Sequence, residues 1–319
     1  AIAEHQQRWY GITVDPETEV VVTAGATEAL AGAMLGMLDA GDEVVLFEPM
    51  YDSYQAGIAL AAATPVPVLL SPGDDGVWRF DPDALRAAVS PRTKFILVNT
   101  PHNPTGKVFD RGELELIAEL AIEHDLIVVT DEVYEHLVFA GAEHVPLASL
   151  PGMAERTLTI SSGGKTFHTT GWKIGWMTGP TQLVTAARLA KQYLTYVNGA
   201  PFQPATAVGL RLGDEYFTRL RSDLQLARDR LSDGLERAGF VTYRPEASYF
   251  VTVDVRSVDP GVDAMTFCRS LPQRAGVVAV PASAFYMHPE HGGHLVRFAC
   301  CKQLDVIDAA VDRLVEAFA

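Results

Sequence analysis

The stretch LTISSGGKTFHTTGWKIGW, residues 158 to 176, sets Lys165 and Lys173 eight positions apart behind two serines and two glycines. A lysine amine can attack a carbonyl or move a proton, whereas a lysine after glycines can also meet a phosphate. The phosphate-loop pattern G-x-x-x-x-G-K-[ST] needs a glycine at position 159, where the chain carries Thr159, so that reading fails. Other polar residues close apolar runs elsewhere. Asp131 follows LIVVT, Asn103 lies in NTPHNPTG, Tyr51 in FEPMYDSY and Tyr134 in TDEVYEHLVF, while Gly25, Ala26 and Thr27 lie in TAGATEAL. A carboxylate at the end of an apolar run is costly unless it is paired. A glycine turn between a strand and a helix offers backbone N–H groups and the helix dipole to an anion. Arg297, between Val296 and Phe298 in HLVRFAC, offers a planar fork for a carboxylate. Each residue alone has a plainer reading: a solvated lysine, a turn at Asn103-Pro104, packed tyrosines, a Thr-capped turn, a surface ion pair. Their recurrence at strand ends favours the chemical reading, because ligands of open parallel sheets sit beyond the carboxyl ends of the strands.

The elements that must carry these residues are legible as alternating patterns. EVVVTAG, DEVVLFEP, TPVPVLL, TKFILVNTP, DLIVVTDE, TLTISS and IGWMTGP read as strands, and most are nearly continuously apolar. Such runs suit a mostly parallel sheet covered on both faces. TEALAGAMLGMLDAG and RGELELIAELAIEHD have helical spacing, the first with Gly41 expected as its C-cap. From Asp214 onward a charged amphipathic stretch leads to strands expected near SYFVTVD, GVVAVP and HLVRFAC. The expectation is an α/β domain over residues 1–213, followed by a linking helix and a smaller α+β domain over 214–319.

The chain has 319 residues with 25 Lys+Arg against 40 Asp+Glu, a formal charge of -15. That charge repels nucleic acid and anionic membranes. Three cysteines without a C-x-x-C pair favour a reducing, cytoplasmic setting over a disulfide framework. No apolar run reaches the roughly 20 residues of a membrane helix. His288, His291 and His294 in HPEHGGH are spaced three apart, but Pro289 and the glycines deny them a helical face, so no metal site is expected. His168 is given no role.

In order and in kind, TAGATEAL, FEPMYDSY, NTPHNPTGK, TDEVYEHLVF, SSGGKTFHTTGWKIGW and HLVRF resemble the class I/II aminotransferases, pyridoxal-phosphate enzymes of fold type I. The likeness covers essentially the whole chain and is greatest to the branch of kynurenine, glutamine, methionine and actinobacterial N-succinyldiaminopimelate aminotransferases. It implies a mostly parallel sheet sandwiched by helices with a smaller C-terminal α+β domain, and a homodimer. It implies pyridoxal 5'-phosphate as cofactor, with Lys165 as the Schiff-base lysine and proton carrier. Asp131 would face the pyridine nitrogen, Asn103 and Tyr134 the phenolic oxygen, and Tyr51 the ring face. Gly25, Ala26, Thr27, Ser162 and Lys173 would hold the phosphate, and Arg297 with Asn103 the substrate carboxylate. The implied reaction moves an amino group from an L-amino acid to a 2-oxo acid such as 2-oxoglutarate through pyridoxamine phosphate. A cysteine-S-conjugate β-lyase using the same cofactor is the alternative. A transcription regulator with an aminotransferase-like domain is a third reading, disfavoured because no basic DNA-binding module is visible. The family's N-terminal arm has no counterpart before AIAEHQQRWYG, which leads to the expectation that Ala1 is not the natural start.

Overall fold

The computed structural model describes residues 1–319. Eight strands form the main sheet: β1 Val20–Thr23, β2 Glu43–Glu48, β3 Thr64–Pro72, β4 Trp78–Phe80, β5 Thr93–Asn99, β6 Ile127–Asp131, β7 Thr157–Ser162 and β8 Gly175–Thr178. Their order is β1-β8-β7-β6-β5-β2-β3-β4, with β8 antiparallel to both neighbours and β4 antiparallel to β3. The other pairings are parallel.

Side chains alternate across this sheet and feed two separate cores. Val44, Leu46, Phe95, Leu97 and Val129 pack on one face with Leu30 and Met34 of the helix Gly25–Met37. Val45, Phe47, Ile96, Val98 and Val128 pack on the other with Leu114 and Ile117 of the helix Arg111–Glu123. The run is apolar at every position because both faces are covered, as buried parallel strands require. Helix Gly25–Met37 lies tightly on helix Thr181–Lys191, since a Cβ on Gly36 would stand 2.4 Å from the carbonyl oxygen of Ala186.

A second sheet, ordered β11-β12-β10-β9, joins β9 Val241–Tyr243, β10 Phe250–Asp254, β11 Val280–Pro281 and β12 Leu295–Ala299. Helix Asp214–Arg237 connects the two parts. Its Leu220 and Leu224 pack with Val133 and Tyr134, whereas its Leu231 and Leu235 enter the core of the small sheet.

Two expectations are corrected. The helix after Gly25 stops at Met37 with Leu38 extended at φ -101, ψ 139, so Gly41 is not its C-cap. The side chain of Asp42 accepts from the Asp39 backbone N–H at 2.8 Å, a local bond that competes with continued helix. GVVAVP forms only the two-residue β11, an edge strand in which Pro281 has no N–H to give and Val280 is exposed. The three-residue strands β4 and β9 were not anticipated at all.

Candidate active site

The carboxyl ends of β5, β6 and β7 open onto one cavity of about 130 Å³. It gathers the phosphate-side candidates Gly25, Ala26, Thr27, Ser162 and Lys173. Tyr51, Asn103, Asp131, Tyr134 and Lys165 complete the expected set around the same space. Arg297 does not line that cavity, but its Nη1 donates to Asn103 Oδ1 at 2.8 Å, which places it at the edge.

Asp131 ends β6 and is buried. Burial raises its carboxyl pKa to about 6, although Tyr54, the Val133 N–H and Lys165 pull the other way. The Tyr54 hydroxyl donates to Oδ2 at 2.7 Å and the Val133 N–H to Oδ1 at 3.3 Å. Asn99 braces the neighbouring strand end: its Nδ2 donates to the Asp131 carbonyl at 2.8 Å, and its Oδ1 accepts the Asn103 N–H at 2.7 Å.

Lys165 lies in a single helical turn, Gly163–Thr166, begun by Ser162, whose Oγ accepts the Gly164 N–H at 3.1 Å. Its Nζ stands 5.8 Å from the centre of the Tyr134 ring and 5.9 Å from that of Tyr249. From below, Tyr216 of the connecting helix donates to the Thr166 carbonyl at 2.9 Å. Gly164 must be glycine or yield, because a Cβ there would lie 3.1 Å from the Thr170 Cα.

On the opposite side, helix Gly25–Met37 starts at φ +74 with no side-chain cap, which leaves its first backbone N–H groups facing the cavity residues. Lys173 runs beside this turn, its Cδ 3.7 Å from where a Gly25 Cβ would be. Gly175 permits the approach of β8, since a Cβ on it would stand 2.5 Å from the Gly25 carbonyl carbon. Asn198 fastens the arrangement by donating to the carbonyls of Thr23 at 3.1 Å and Lys173 at 3.2 Å.

Arg297 sits mid-strand in β12, its guanidinium carbon 3.9 Å from the Phe250 ring centre and 4.4 Å from that of Phe285. Burial lowers its pKa from the ordinary arginine value. The two rings hold the planar group flat and direct its donors along the plane.

Tyr54, Asn99, Val133, Gly164 and Thr170 also line the cavity and were not anticipated. Tyr54 carried one signal, its position a helical turn after Tyr51; its carboxylate partner lies 77 residues away. The three histidines near 290 do not converge: His291 pairs with Glu48 and His288 with Glu290, while His294 lies near Asp254 and Arg256. His168 is exposed at φ +54.

Both the sequence and the fold are similar to known proteins. The family described as aminotransferase class I and II matches residues 1–314. A Mycobacterium tuberculosis protein named "Probable N-succinyldiaminopimelate aminotransferase DapC" is 51% identical over 98% of this chain and 81% of its own. Kynurenine–oxoglutarate transaminase 3 of Rattus norvegicus is 39% identical over 94% of this chain and 72% of its own. The solved structure of N-succinyldiaminopimelate aminotransferase from Mycobacterium tuberculosis superposes with a TM-score of 0.95 at 50% identity, covering 99% of this chain and 82% of that one. That of YbdL from Escherichia coli, described as having a methionine aminotransferase function, gives 0.93 at 35%, covering 99% and 81%. A likeness this close, running through every element that shapes the cavity, makes this chain an enzyme of the class I and II aminotransferase family.

Proposed function

We propose that the enzyme transfers the amino group of an L-amino acid to 2-oxoglutarate, with pyridoxal 5'-phosphate held in the cavity between Asp131 and the start of helix Gly25–Met37. The observation that carries this reading is the convergence of ten expected residues, drawn from five strand ends, on that one cavity. The donor set fits the cofactor's chemistry. An uncapped helix start, the Ser162 hydroxyl and the Lys173 ammonium suit a phosphate dianion. Asp131, a buried carboxylate in no salt bridge, suits a protonated ring nitrogen. When bound, pyridoxal phosphate supplies an aldehyde that links to amines and a ring that accepts the electron pair left at a substrate's α-carbon.

The chain's own groups do the remaining work. Lys165 holds the cofactor until substrate arrives and then moves the proton at the α-carbon. Asp131 would pair, ionised, with the ring nitrogen, steadied by Tyr54 and the Val133 N–H. Tyr51 would cover the ring and Asn103 and Tyr134 would serve as donors to its phenolic oxygen, all three lining the same cavity. Arg297, held flat between Phe250 and Phe285, turns from Asn103 to grip the substrate carboxylate and so orients the α-carbon.

The donor, we infer, is of the kind named for the Mycobacterium tuberculosis relative, an N-succinylated diamino acid; the 51% identity supports this choice. We further propose a cytoplasmic homodimer. Supporting it, Tyr193, Tyr196, Val197 and Val208 are exposed together with the stacked pair Trp172 and Phe202, beside the turn carrying Lys173. An apolar surface of this kind is normally covered by a partner.

The test is borohydride reduction of the cofactor-loaded enzyme followed by peptide mapping. The label is expected on Lys165 and absent from Lys165→Ala. A label on Lys173, or none at all, would refute the assignment.

A further inference from the structure

The turn that follows Asp131 and carries Tyr134 also carries Glu135 and His136, which enter a second polar cluster with no part in the chemistry above. His5, on the helix Ile2–Tyr10, meets His136 there with the two Nε2 atoms 2.7 Å apart. Glu135 accepts from the Tyr10 hydroxyl at 2.6 Å through Oε2 and from the Ser161 hydroxyl at 2.5 Å through Oε1. One ligand atom from each of His5, Glu135 and His136 lies within 4.8 Å of the others, and all three residues are buried.

Two features make this more than a hydrogen-bonded patch. Neutral imidazoles facing each other through Nε2 can share only one hydrogen, so one lone pair is directed at its neighbour's ring nitrogen. Beside them stands a buried carboxylate that receives hydroxyls but no lysine or arginine, whereas buried charges are ordinarily paired or bound to a metal. Polar atoms left without partners mark the surroundings: His5 Nδ1, and Nδ1 of His144 with Oε1 of the Glu132 to which His144 bonds. A cavity of about 430 Å³, lined by Trp9, Tyr10, Glu135, His136, His144 and Arg221 among others, opens directly onto the cluster.

We propose that His5, Glu135 and His136 form a binding site for a divalent cation of the zinc class, with the adjoining cavity giving entry and a water position. Two imidazoles and one carboxylate form a donor set suited to zinc, with the fourth position open. Zinc–nitrogen bonds of about 2.0–2.1 Å need the two Nε2 atoms to separate to roughly 3.3 Å, a shift of about 0.3 Å for each ring. On binding, the ring that donates the shared hydrogen carries it on Nδ1 instead, so that both neutral imidazoles turn an Nε2 lone pair to the cation and no net proton is released. Glu135 can ligate and still accept its hydroxyls, because each carboxylate oxygen carries two lone pairs. The bound cation would fasten helix Ile2–Tyr10 to the turn that follows Asp131 and carries Tyr134.

The experiment uses the cofactor-loaded enzyme, stripped with chelator, dialysed against zinc ions alone and assayed for bound metal. Wild type is expected to retain one equivalent that His5→Gln and His136→Gln both lose, while His291→Gln, on the surface loop, keeps it. X-ray absorption of the zinc-loaded wild type, which needs no variant, should show two imidazole ligands and an oxygen shell. Equal zinc in wild type and in both cluster variants, or an absorption spectrum without imidazole scattering, would overturn the proposal and leave the cluster holding a proton only.

Discussion

Asp131 shows how one residue is prepared for a partner. Its pKa in the fold, about 6, lies above the ordinary carboxylate value, because burial outweighs the Tyr54 and Val133 hydrogen bonds. An acid bound more tightly to its proton in the folded chain contributes stability fully below its unfolded pKa, about 4, and loses that contribution as pH rises through about 6. The cofactor-free enzyme should therefore lose thermal stability relative to Asp131→Asn between about pH 4 and 7, with the difference levelling off above 7. A difference independent of pH would show that Asp131 does not titrate there. The carboxylate itself was legible at the end of an apolar run. Tyr54 as its donor was not, because a contact across 77 residues has no signature in local spacing.

At the scale of elements, two glycines separate the site from the scaffold. Gly175→Ala would drive a Cβ to 2.5 Å from the Gly25 carbonyl carbon, where only backbone can move. It should cost about 1–3 kcal/mol of stability and weaken cofactor binding, since the start of helix Gly25–Met37 must shift. Gly36→Ala, at 2.4 Å from the Ala186 carbonyl oxygen, strains the same helix three turns on. It should destabilise by a similar amount while leaving cofactor affinity nearly unchanged; thermal melts and cofactor titrations of both variants compare the two effects. Equal loss of affinity would mean that the helix moves as a whole. The strands around these glycines were readable because Val44 to Phe47 and Phe95 to Val98 fill a core on each face. Strands β4 and β9 escaped because three residues cannot establish a period, and Gly41 misled because a side-chain bond from Asp42 ends the helix before it.

For the molecule as a whole, the exposed apolar group around Val197 predicts association. Val197→Asp should move the sedimenting species from two chains toward one, and an unchanged species would remove that surface from the interface. The fold class and the ordered motifs were legible across the full length, whereas the choice of amino donor was not, because the shape of a side-chain pocket depends on surfaces brought together only in the folded assembly. A single half-reaction separates transfer of an amino group from elimination of a substrate group. Cofactor-loaded enzyme is mixed with the amino donor and no acceptor, and the products are counted before and after addition of 2-oxoglutarate. The account predicts one 2-oxo acid per chain and then arrest, with glutamate appearing only once 2-oxoglutarate is supplied; continued release of ammonia and pyruvate from a cysteine conjugate, without any acceptor, would contradict it.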